Sequence, residues 1–549
     1  MKKILIVGGV AGGATAAARL RRLDENAQII MFDRGAAISF ANCGLPYYIG
    51  GVIADREALL LHTPDSFHRR FNIDVRVQSE VLSIDRAAKT ITVKDKKNGD
   101  TYTESYDTLL LAPGAAPIVP PTIDASLSRV FTLRTMADTD AIKAFITEQN
   151  PKDATIAGGG FIGIEMAENL RQTGLEVRII QRSNQVISPL DMDIACEVHP
   201  HLRQHGVSLL FNSEIQAVTE HGTGLTIHLP NGTVETAMLI LALGVKPESA
   251  LALNAGLAIS ERGGIIVDTH MRTSDENIYA VGDAVEVTNL VTRQAALIPL
   301  AGPANKQARI AADNICGIQS EYKGTQGSTV IKVFDMIVAY TGINEKTAKT
   351  LGLNYDKAFL YLSGHASYYP NANPMSMKVL FEKESGKILG AQIAGYDGVD
   401  KRCDVLAVAI RAGMTAYDLT ELELCYAPPY SSAKDPVNMA GYAIENVLTG
   451  KLKQFHWHEV DALPRDGSVT LLDVRNPQEV ARGQLEGFIN IPLDSLRQRI
   501  GELDRSKPIY VTCQSGLRSY NATRILMQHG FDAFNLSGGY RLYRAATNK

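Results

Sequence analysis

The chain has little cysteine. Its 549 residues contain six, scattered singly, and no two stand at the spacing of a disulfide framework or a metal cluster. That excludes a disulfide-stapled secreted scaffold, gives no ground for expecting a metal, and fits free thiols in a reducing cytoplasm. No stretch approaches the roughly 18 consecutive apolar residues of a membrane helix. The run Lys3–Val7 is too short for a signal peptide and is broken at once by Gly8 and Gly9, so it reads as a buried first strand. Net charge is only −4, which leaves no basic footprint for nucleic acid. Low-complexity tracts and solenoid-type repeats are also missing. What is there is an ordinary globular composition, 45% hydrophobic and 21% charged, in a chain long enough for three or four domains.

The organisation is α/β. Residues 3–7, the helical stretch Ala14–Leu23 and the apolar run Gln28–Phe32 make a β-α-β unit. The same grammar returns at Ala154–Ala157, Ile164–Gln172 and Glu176–Ile180, which predicts two nucleotide-binding domains with parallel sheets. Tyr106–Leu111 with Ala112-Pro113-Gly114, and Ala237–Leu243 with Gly244-Val245-Lys246-Pro247, read as the strands that enter and leave the second of them. Asn277–Val281 runs into Gly282-Asp283, and a long helix follows around Ala304–Ile315. From about Thr325 the pattern becomes an α+β block, with strands at Val330–Phe334, Met377–Phe381 and Ile388–Ala394 and helices at 401–412 and 435–448. The polar stretch Gly450–His458 reads as a linker. A small α/β unit with strands at Thr470–Leu472 and Ile509–Thr512 follows it. The expected boundaries are 1–114 with 248–323, 115–247, 324–449, a linker at 450–459, and 460–549.

Two glycine motifs carry the nucleotide reading. In the first, Gly8 permits a tight turn, and Gly12 and Gly13 let the helix pack on the strand with its N-terminus facing a pyrophosphate. Val10 occupies the usual middle-glycine position. Asp33, followed by Arg34 at the end of the next strand, stands where a carboxylate holds a ribose hydroxyl. The second motif is Gly158, Gly160 and Gly163, with Gln181 and then Arg182 at the ribose position. Glutamine can bond a ribose, and an uncharged group beside arginine also tolerates a 2′-phosphate, so NADH and NADPH both fit. Asp283 after Gly282 could face a flavin's ribityl chain, with Pro113 at the neighbouring crossover turn. The three signals together predict FAD and NAD(P)H.

Two thiols stand apart from the remaining four cysteines, which read as small packing residues. Cys43, in Ser39–Tyr47, follows the first β-α-β unit near a helix start, where its pKa is expected to be lowered. No second cysteine stands nearby, so it would cycle through a mixed disulfide, a persulfide or a sulfenic acid. Cys513 ends a strand, is followed by four residues and Arg518, and then by a helix. That spacing is one residue shorter than in cysteine phosphatases and suits a persulfide sulfur cradled by backbone amides.

The glycine motifs, Ser39–Tyr47, Gly282-Asp283 and Tyr426–Ser431 together resemble the single-cysteine pyridine nucleotide–disulfide oxidoreductases, in particular the coenzyme A-disulfide reductases. With Leu472–Arg475, Cys513–Arg518 and Asn535–Tyr540 included, the whole chain resembles the fusions of such reductases to a rhodanese domain, some of which are NADH-dependent persulfide reductases. Gln484–Phe488 departs from the rhodanese pattern. The resemblance implies FAD-binding (1–114 and 248–323), NAD(P)H-binding (115–247), dimerisation (324–449) and rhodanese-like (460–549) domains in a homodimer. It implies a coenzyme A site using Thr15, Arg19 and Arg22 on the first helix and Ser39 and Asn42 beside the thiol. Phe71 and Asn305 would line the pantetheine path, with Asn305 coming from the partner subunit. Arg19 and Arg22 also fit a plain solvated basic face. Tyr430, and either Tyr368 or Tyr369, would reach the thiol across the dimer and protonate a leaving thiolate. The function implied is NAD(P)H-dependent reduction of coenzyme A persulfide, polysulfide or disulfide at Cys43, with Cys513 carrying sulfane sulfur. An NADH oxidase or peroxidase with a Cys43 sulfenic acid shares the same scaffold. A non-catalytic redox sensor or sulfur-relay protein is the reading outside enzymes.

Overall fold

The structure, a computed structural model, describes residues Met1–Asn548 and divides into two compact units. The first comprises Met1–Val186 and Gly206–Gly327. It holds two parallel five-stranded sheets built to one plan. In the first, the strand order is Ile278–Ala280, Thr108–Leu111, Lys3–Val7, Gln28–Asp33 and Asp74–Val77. In the second it is Val207–Leu210, Glu176–Ile180, Asp153–Ala157, Leu239–Leu241 and Val130–Thr132. Each central strand leads through a glycine turn into a helix, Ala11–Leu23 in one sheet and Phe161–Gln172 in the other. Strands such as Thr108–Leu111 are buried along their whole length, as parallel strands covered on both faces must be. The expected pair of β-α-β units is present, with each element within a few residues of its predicted bounds.

The two turns are nearly superposable in their constraints. Gly8 and Gly158 have φ of +100° and +103°, and a Cβ on either would strike the carbonyl of Ala112 or Ala242 at 2.1 and 2.4 Å. A Cβ on Gly13 would lie 1.8 Å from the Gly8 carbonyl, and one on Gly163 2.0 Å from that of Gly158. The middle position differs: a Cβ on Gly160 would meet nothing within 4 Å, and its φ is −79°. Val10, with φ −98°, occupies the equivalent place in the first turn at a negative φ, so that position does not call for glycine's left-handed freedom.

The second unit, Ile187–His205 with Ser328–Lys549, joins two sheets. One is antiparallel, ordered Thr329–Val333, Met336–Gly342, Ile388–Gly395, Pro374–Glu382 and Tyr355–Ser363. The helix Met192–Gln204 packs on two of its inner strands, Ile388–Gly395 and Pro374–Glu382. That helix lies within residues 115–247, expected as one nucleotide-binding domain, yet it belongs to this second unit. The reason is charge. Lys378 is completely buried, and its ammonium lies 2.9 Å from Asp193, 3.0 Å from Asp191 and 2.5 Å from Glu345. Lys357 lies 2.6 Å from the same Glu345. Burial alone would lower the Lys378 pKa, but the surrounding carboxylates raise it instead.

The other sheet is parallel, ordered Gln454–Phe455, Ala533–Leu536, Ile509–Thr512, Thr470–Asp473 and Ile489–Asn490. Residues 450–459 are therefore not a free linker, because Gln454–Phe455 is an edge strand of this sheet. The same segment is tied to the antiparallel sheet: Gln454 Nε2 donates to the Lys357 carbonyl at 2.8 Å, and His456 Nε2 lies 3.1 Å from Asp356. Near the last helix, Gly539–Thr547, Arg541 stacks 4.1 Å over Tyr361 and pairs with Glu197 at 3.1 Å. Leu485 and Phe488 are buried in the core of this sheet, so the unusual segment Gln484–Phe488 still supplies its apolar anchors.

Gly13→Ala is expected to cost about 1–3 kcal/mol through backbone overpacking and to yield protein with little flavin, whereas Val10→Gly keeps its flavin. The ratio of visible to ultraviolet absorbance of the purified variants measures both.

Candidate active site

The nucleotide turns are completed by side chains that play matching parts. Asp33 accepts from the amides of Gly9 and Gly35, each at 2.8 Å, and burial pushes its pKa up against those two bonds. Gln181 Oε1 accepts from the Gly159 amide at 2.8 Å, and its Nε2 donates to Ser183 at 2.8 Å. Each strand end thus carries an acceptor that fixes the second glycine of its turn. Arg34 makes a two-pronged pair with Glu248 at 2.7 Å, and Arg182 is exposed. Gly282 and Asp283 form a short turn capped by Gln307, whose Oε1 accepts from the Gly282 amide at 2.8 Å. Burial raises the Asp283 pKa, and Arg134 at 3.8 Å opposes the rise. Close-packed glycines at two helix N-termini with a polar acceptor at each following strand are what two dinucleotides require, so the residues present fit FAD and NAD(P)H.

Cys43 lies on a short turn, Asn42–Gly44, that runs into the helix Leu45–Ile49. The segment is pinned by Ser39, which has φ +46°, donates its amide to the Gly9 carbonyl at 2.7 Å and accepts from the Leu61 amide at 3.0 Å. The Cys43 amide donates to Asn42 Oδ1 at 3.1 Å. The thiol reaches solvent, but partial desolvation and the negative charges of Glu165 and Asp283 push its pKa up, with Arg134 acting the other way. The expectation of a lowered pKa is thus corrected: the following helix is a single turn, and the charges facing the sulfur are mainly carboxylates. Glu165, directly after the second glycine motif, is itself pushed up to about 7 by burial, and Tyr47, 3.4 Å from it, to about 12.

Of the residues assigned to coenzyme A, Thr15 and Asn305 come together: Thr15 Oγ1 donates to Asn305 Oδ1 at 2.5 Å. Both belong to one chain, so the expectation that Asn305 arrives from a partner is revised. Arg19 is engaged by Asp313 at 2.8 Å, while Arg22 is exposed. Between them in sequence, Arg21 is buried and donates to the carbonyls of Phe71, Asn72, Asp24 and Glu25. Phe71 sits against Phe67 at 4.9 Å and His62 at 5.9 Å.

The tyrosines lie in the second unit. Tyr368 is 74% exposed, and its hydroxyl is 2.9 Å from that of Tyr426. Tyr369 instead sets its ring edge-on to His365 at 5.6 Å. Tyr430 is 72% exposed; its amide donates to the Ala427 carbonyl at 2.9 Å and its carbonyl accepts from Arg402 at 3.4 Å. The hydroxyl pair is therefore Tyr368 with Tyr426. Tyr426 opens the same Tyr-Ala-Pro-Pro-Tyr-Ser segment that contains Tyr430, the tyrosine expected at the thiol, and sequence reasoning missed it. Buried Arg402 holds this loop through Ser431 at 2.9 Å and Asp435 at 3.0 Å.

Cys513 is fully buried at the strand-to-helix turn. Its sulfur accepts from the Gly516 amide at 3.1 Å and from Ser519 Oγ at 3.2 Å. Gly516, at φ +96°, and Gly539, whose Cβ would lie 2.6 Å from the Cys513 carbonyl, close the loop around it. Arg518 is held by Glu479 through two bonds of 2.6 Å, and that pairing drops the Glu479 pKa to about 2. Sequence reasoning missed Glu479 and Ser519. Ser519 adjoins Arg518, and Glu479 is the third helical residue of an Asn476 capping box. Cys196 and Cys403 are buried, with pKa values pushed up by desolvation, and Cys425 is exposed.

Residues 2–308 match the pyridine nucleotide-disulphide oxidoreductase family, residues 328–436 its dimerisation domain and residues 456–546 the rhodanese-like domain. The chain is 38% identical over 444 residues to a coenzyme A disulfide reductase of Staphylococcus epidermidis, covering 80% of this chain and 99% of that one. Its fold matches the crystal structure of reduced Bacillus anthracis CoADR-RHD with a TM-score of 0.97 and 52% identity, over 100% of this chain and 98% of the other. A NAD-dependent persulfide reductase from A. fulgidus matches with a TM-score of 0.92 and 37% identity, over 98% and 100%.

Two outcomes are expected. Ser519→Ala removes a donor to the Cys513 sulfur and slows sulfur transfer from thiosulfate by about tenfold, the size of one strong hydrogen bond. Glu165 binds its proton more tightly folded than unfolded, so its contribution to stability falls as pH rises from about 4.5 to about 7. Glu165→Gln therefore flattens that part of the melting temperature–pH curve, which a fluorescence melt across pH 4–8 records.

Proposed function

The chain belongs to the pyridine nucleotide-disulphide oxidoreductase family, and from that premise we propose that it reduces coenzyme A persulfide, and coenzyme A disulfide, through the single thiol of Cys43. It is an FAD-dependent NAD(P)H oxidoreductase with a C-terminal rhodanese-like domain. Bound FAD supplies the two-electron link between the nicotinamide and the thiol. The observation that carries the reading is the isolation of Cys43: all six cysteines are free and none neighbours it, so the reduction proceeds through a mixed disulfide with the substrate.

In that reaction the Cys43 thiolate attacks the coenzyme A sulfur of the persulfide. A Cys43–S–S–coenzyme A bond forms, and the outer sulfur leaves as hydrosulfide. With the disulfide as substrate, the leaving group is a coenzyme A thiolate. Two electrons and one proton then cleave the mixed disulfide, restoring the Cys43 thiolate and releasing coenzyme A as the thiol. Because the polypeptide raises the Cys43 pKa, attack depends on Arg134 and on positive or polarising groups brought by the ligands. Thr15, Asn305, Arg22, Ser39, Asn42 and Phe71 are assigned to coenzyme A. Arg19 serves chiefly to hold the first helix to Asp313.

The exposed Tyr368–Tyr426 pair is assigned to protonating the leaving thiolate in the active site of a partner subunit of a homodimer. Cys513 is assigned to carrying sulfane sulfur and loading it onto coenzyme A, with Arg518 attracting the anionic donor. The presence of this second thiol favours persulfide over simple disulfide reduction, and it has no part in an NADH oxidase. The enzyme is placed in the cytoplasm.

Anaerobic NADH oxidation with coenzyme A persulfide and with coenzyme A disulfide tests the reading. Faster turnover with the persulfide, releasing one sulfide per NADH, is expected. Cys43→Ser abolishes both reactions, at least 1,000-fold by analogy with the loss of other catalytic nucleophiles. Cys513→Ser leaves them intact but removes sulfur transfer from thiosulfate. Negligible turnover with both substrates and rapid turnover with oxygen would overturn it in favour of an oxidase.

A further inference from the structure

Away from both thiols, three side chains converge with no part in the reaction above. His201 and His205 are one turn apart at the C-terminal end of the helix Met192–Gln204, on the same face. Asp335 projects from the tight turn joining Thr329–Val333 to Met336–Gly342. A single carboxylate oxygen, Asp335 Oδ1, lies 3.0 Å from His201 Nε2 and 3.5 Å from His205 Nε2. The Val333 carbonyl oxygen is 3.0 Å from the same His201 nitrogen. We propose that His201, His205 and Asp335 form a binding site for a divalent cation of the zinc class, with the Val333 carbonyl as a fourth donor.

The spacing supports it. Nitrogen and oxygen donors about 2.0–2.1 Å from a tetrahedral ion stand about 3.3–3.4 Å from one another, and the observed separations of 3.0 and 3.5 Å straddle that edge length. All three ligand atoms lie within 4.8 Å of one another. The orientation of His205 is also set: its Nδ1 is 2.9 Å from the His201 carbonyl, so Nδ1 holds the proton and Nε2 presents its lone pair. With an ion bound, the His201 proton that now lies between Nε2 and the Val333 carbonyl moves to Nδ1. The Phe334 ring, on a residue with φ +57°, stacks on His205 at 4.2 Å and 13°, and Tyr396 closes on His201 edge-on at 5.8 Å. The helix C-terminus adds a partial negative charge that favours a cation. Asp335 is exposed, so an ion can enter from solvent. Two imidazoles and oxygen donors select zinc, cobalt or nickel over magnesium or calcium. Bound there, the ion would clip the helix to the strand turn.

The test is equilibrium dialysis of the full-length flavin-loaded enzyme against Zn2+, comparing wild type, His205→Gln and Asp335→Asn. The cysteines are the same in all three, so their own zinc binding cancels. One zinc more per chain in wild type than in either variant is expected, with a zinc-dependent rise in melting temperature that both variants lose. Equal zinc content in all three, with equal shifts in melting temperature, would overturn the proposal and leave the cluster as an ordinary histidine–carboxylate hydrogen bond. Asp335 lies at the surface, so its variant keeps the comparison valid if His205→Gln fails to fold.

Discussion

A fully buried ammonium is the constraint around which the second unit is arranged. Stripped of water, Lys378 is tolerable only if carboxylates replace its hydration, and it draws them from two distant parts of the chain: Asp191 and Asp193 from the segment 187–205, and Glu345 from the antiparallel block. Glu345 in turn holds Lys357, whose strand receives Gln454 and His456 from the start of the rhodanese-like sheet. One desolvated charge therefore sits at the meeting point of three pieces of sequence that share no apolar pattern. Such a pair is weak evidence for stability. It is strong as a device of register, because loss of the lysine leaves buried carboxylates unanswered.

The first unit is governed by contact distance instead. Its two sheets repeat one solution, in which a helix starts so close to the preceding strand that only glycine fits. The shared order of four strands in each sheet and the matched roles of Asp33 and Gln181 follow from that solution. The difference between an acid and an amide at the strand end leaves the turn undisturbed, because either offers the acceptor that its second glycine needs.

Much of this was legible in the residues. Repeated β-α-β grammar identified both sheets because parallel strands buried on both faces are continuous apolar runs. Cys43 and Cys513 stood out because each lies at a turn beside an element start, whereas Cys196 and Cys403 lie buried inside helices. What escaped was what depends on pairing across sequence. Gln454–Phe455 looked like a linker because a two-residue edge strand carries no period. The helix Met192–Gln204 was assigned by chain order, and its buried apolar face together with the charge pairing of Asp193 reveals where it belongs. Tyr426 and Tyr430 share one short segment, and the choice rests on a hydroxyl 58 residues away in sequence. The Cys43 pKa was misjudged because helix position was visible and the facing carboxylates, 122 and 240 residues further along, were not.

The contacts of the rhodanese-like sheet set a limit on how sulfur can travel. Gln454, His456 and Arg541 fasten it to the neighbouring sheet through hydrogen bonds, an ion pair and a stacked guanidinium, and Ser537 adds a further bond to the Phe359 amide. A module fastened at several points cannot act as a swinging arm. The Cys513 loop is therefore carried rigidly with the antiparallel sheet of its own unit, so a sulfur atom held there changes its position against that sheet only by leaving the thiol.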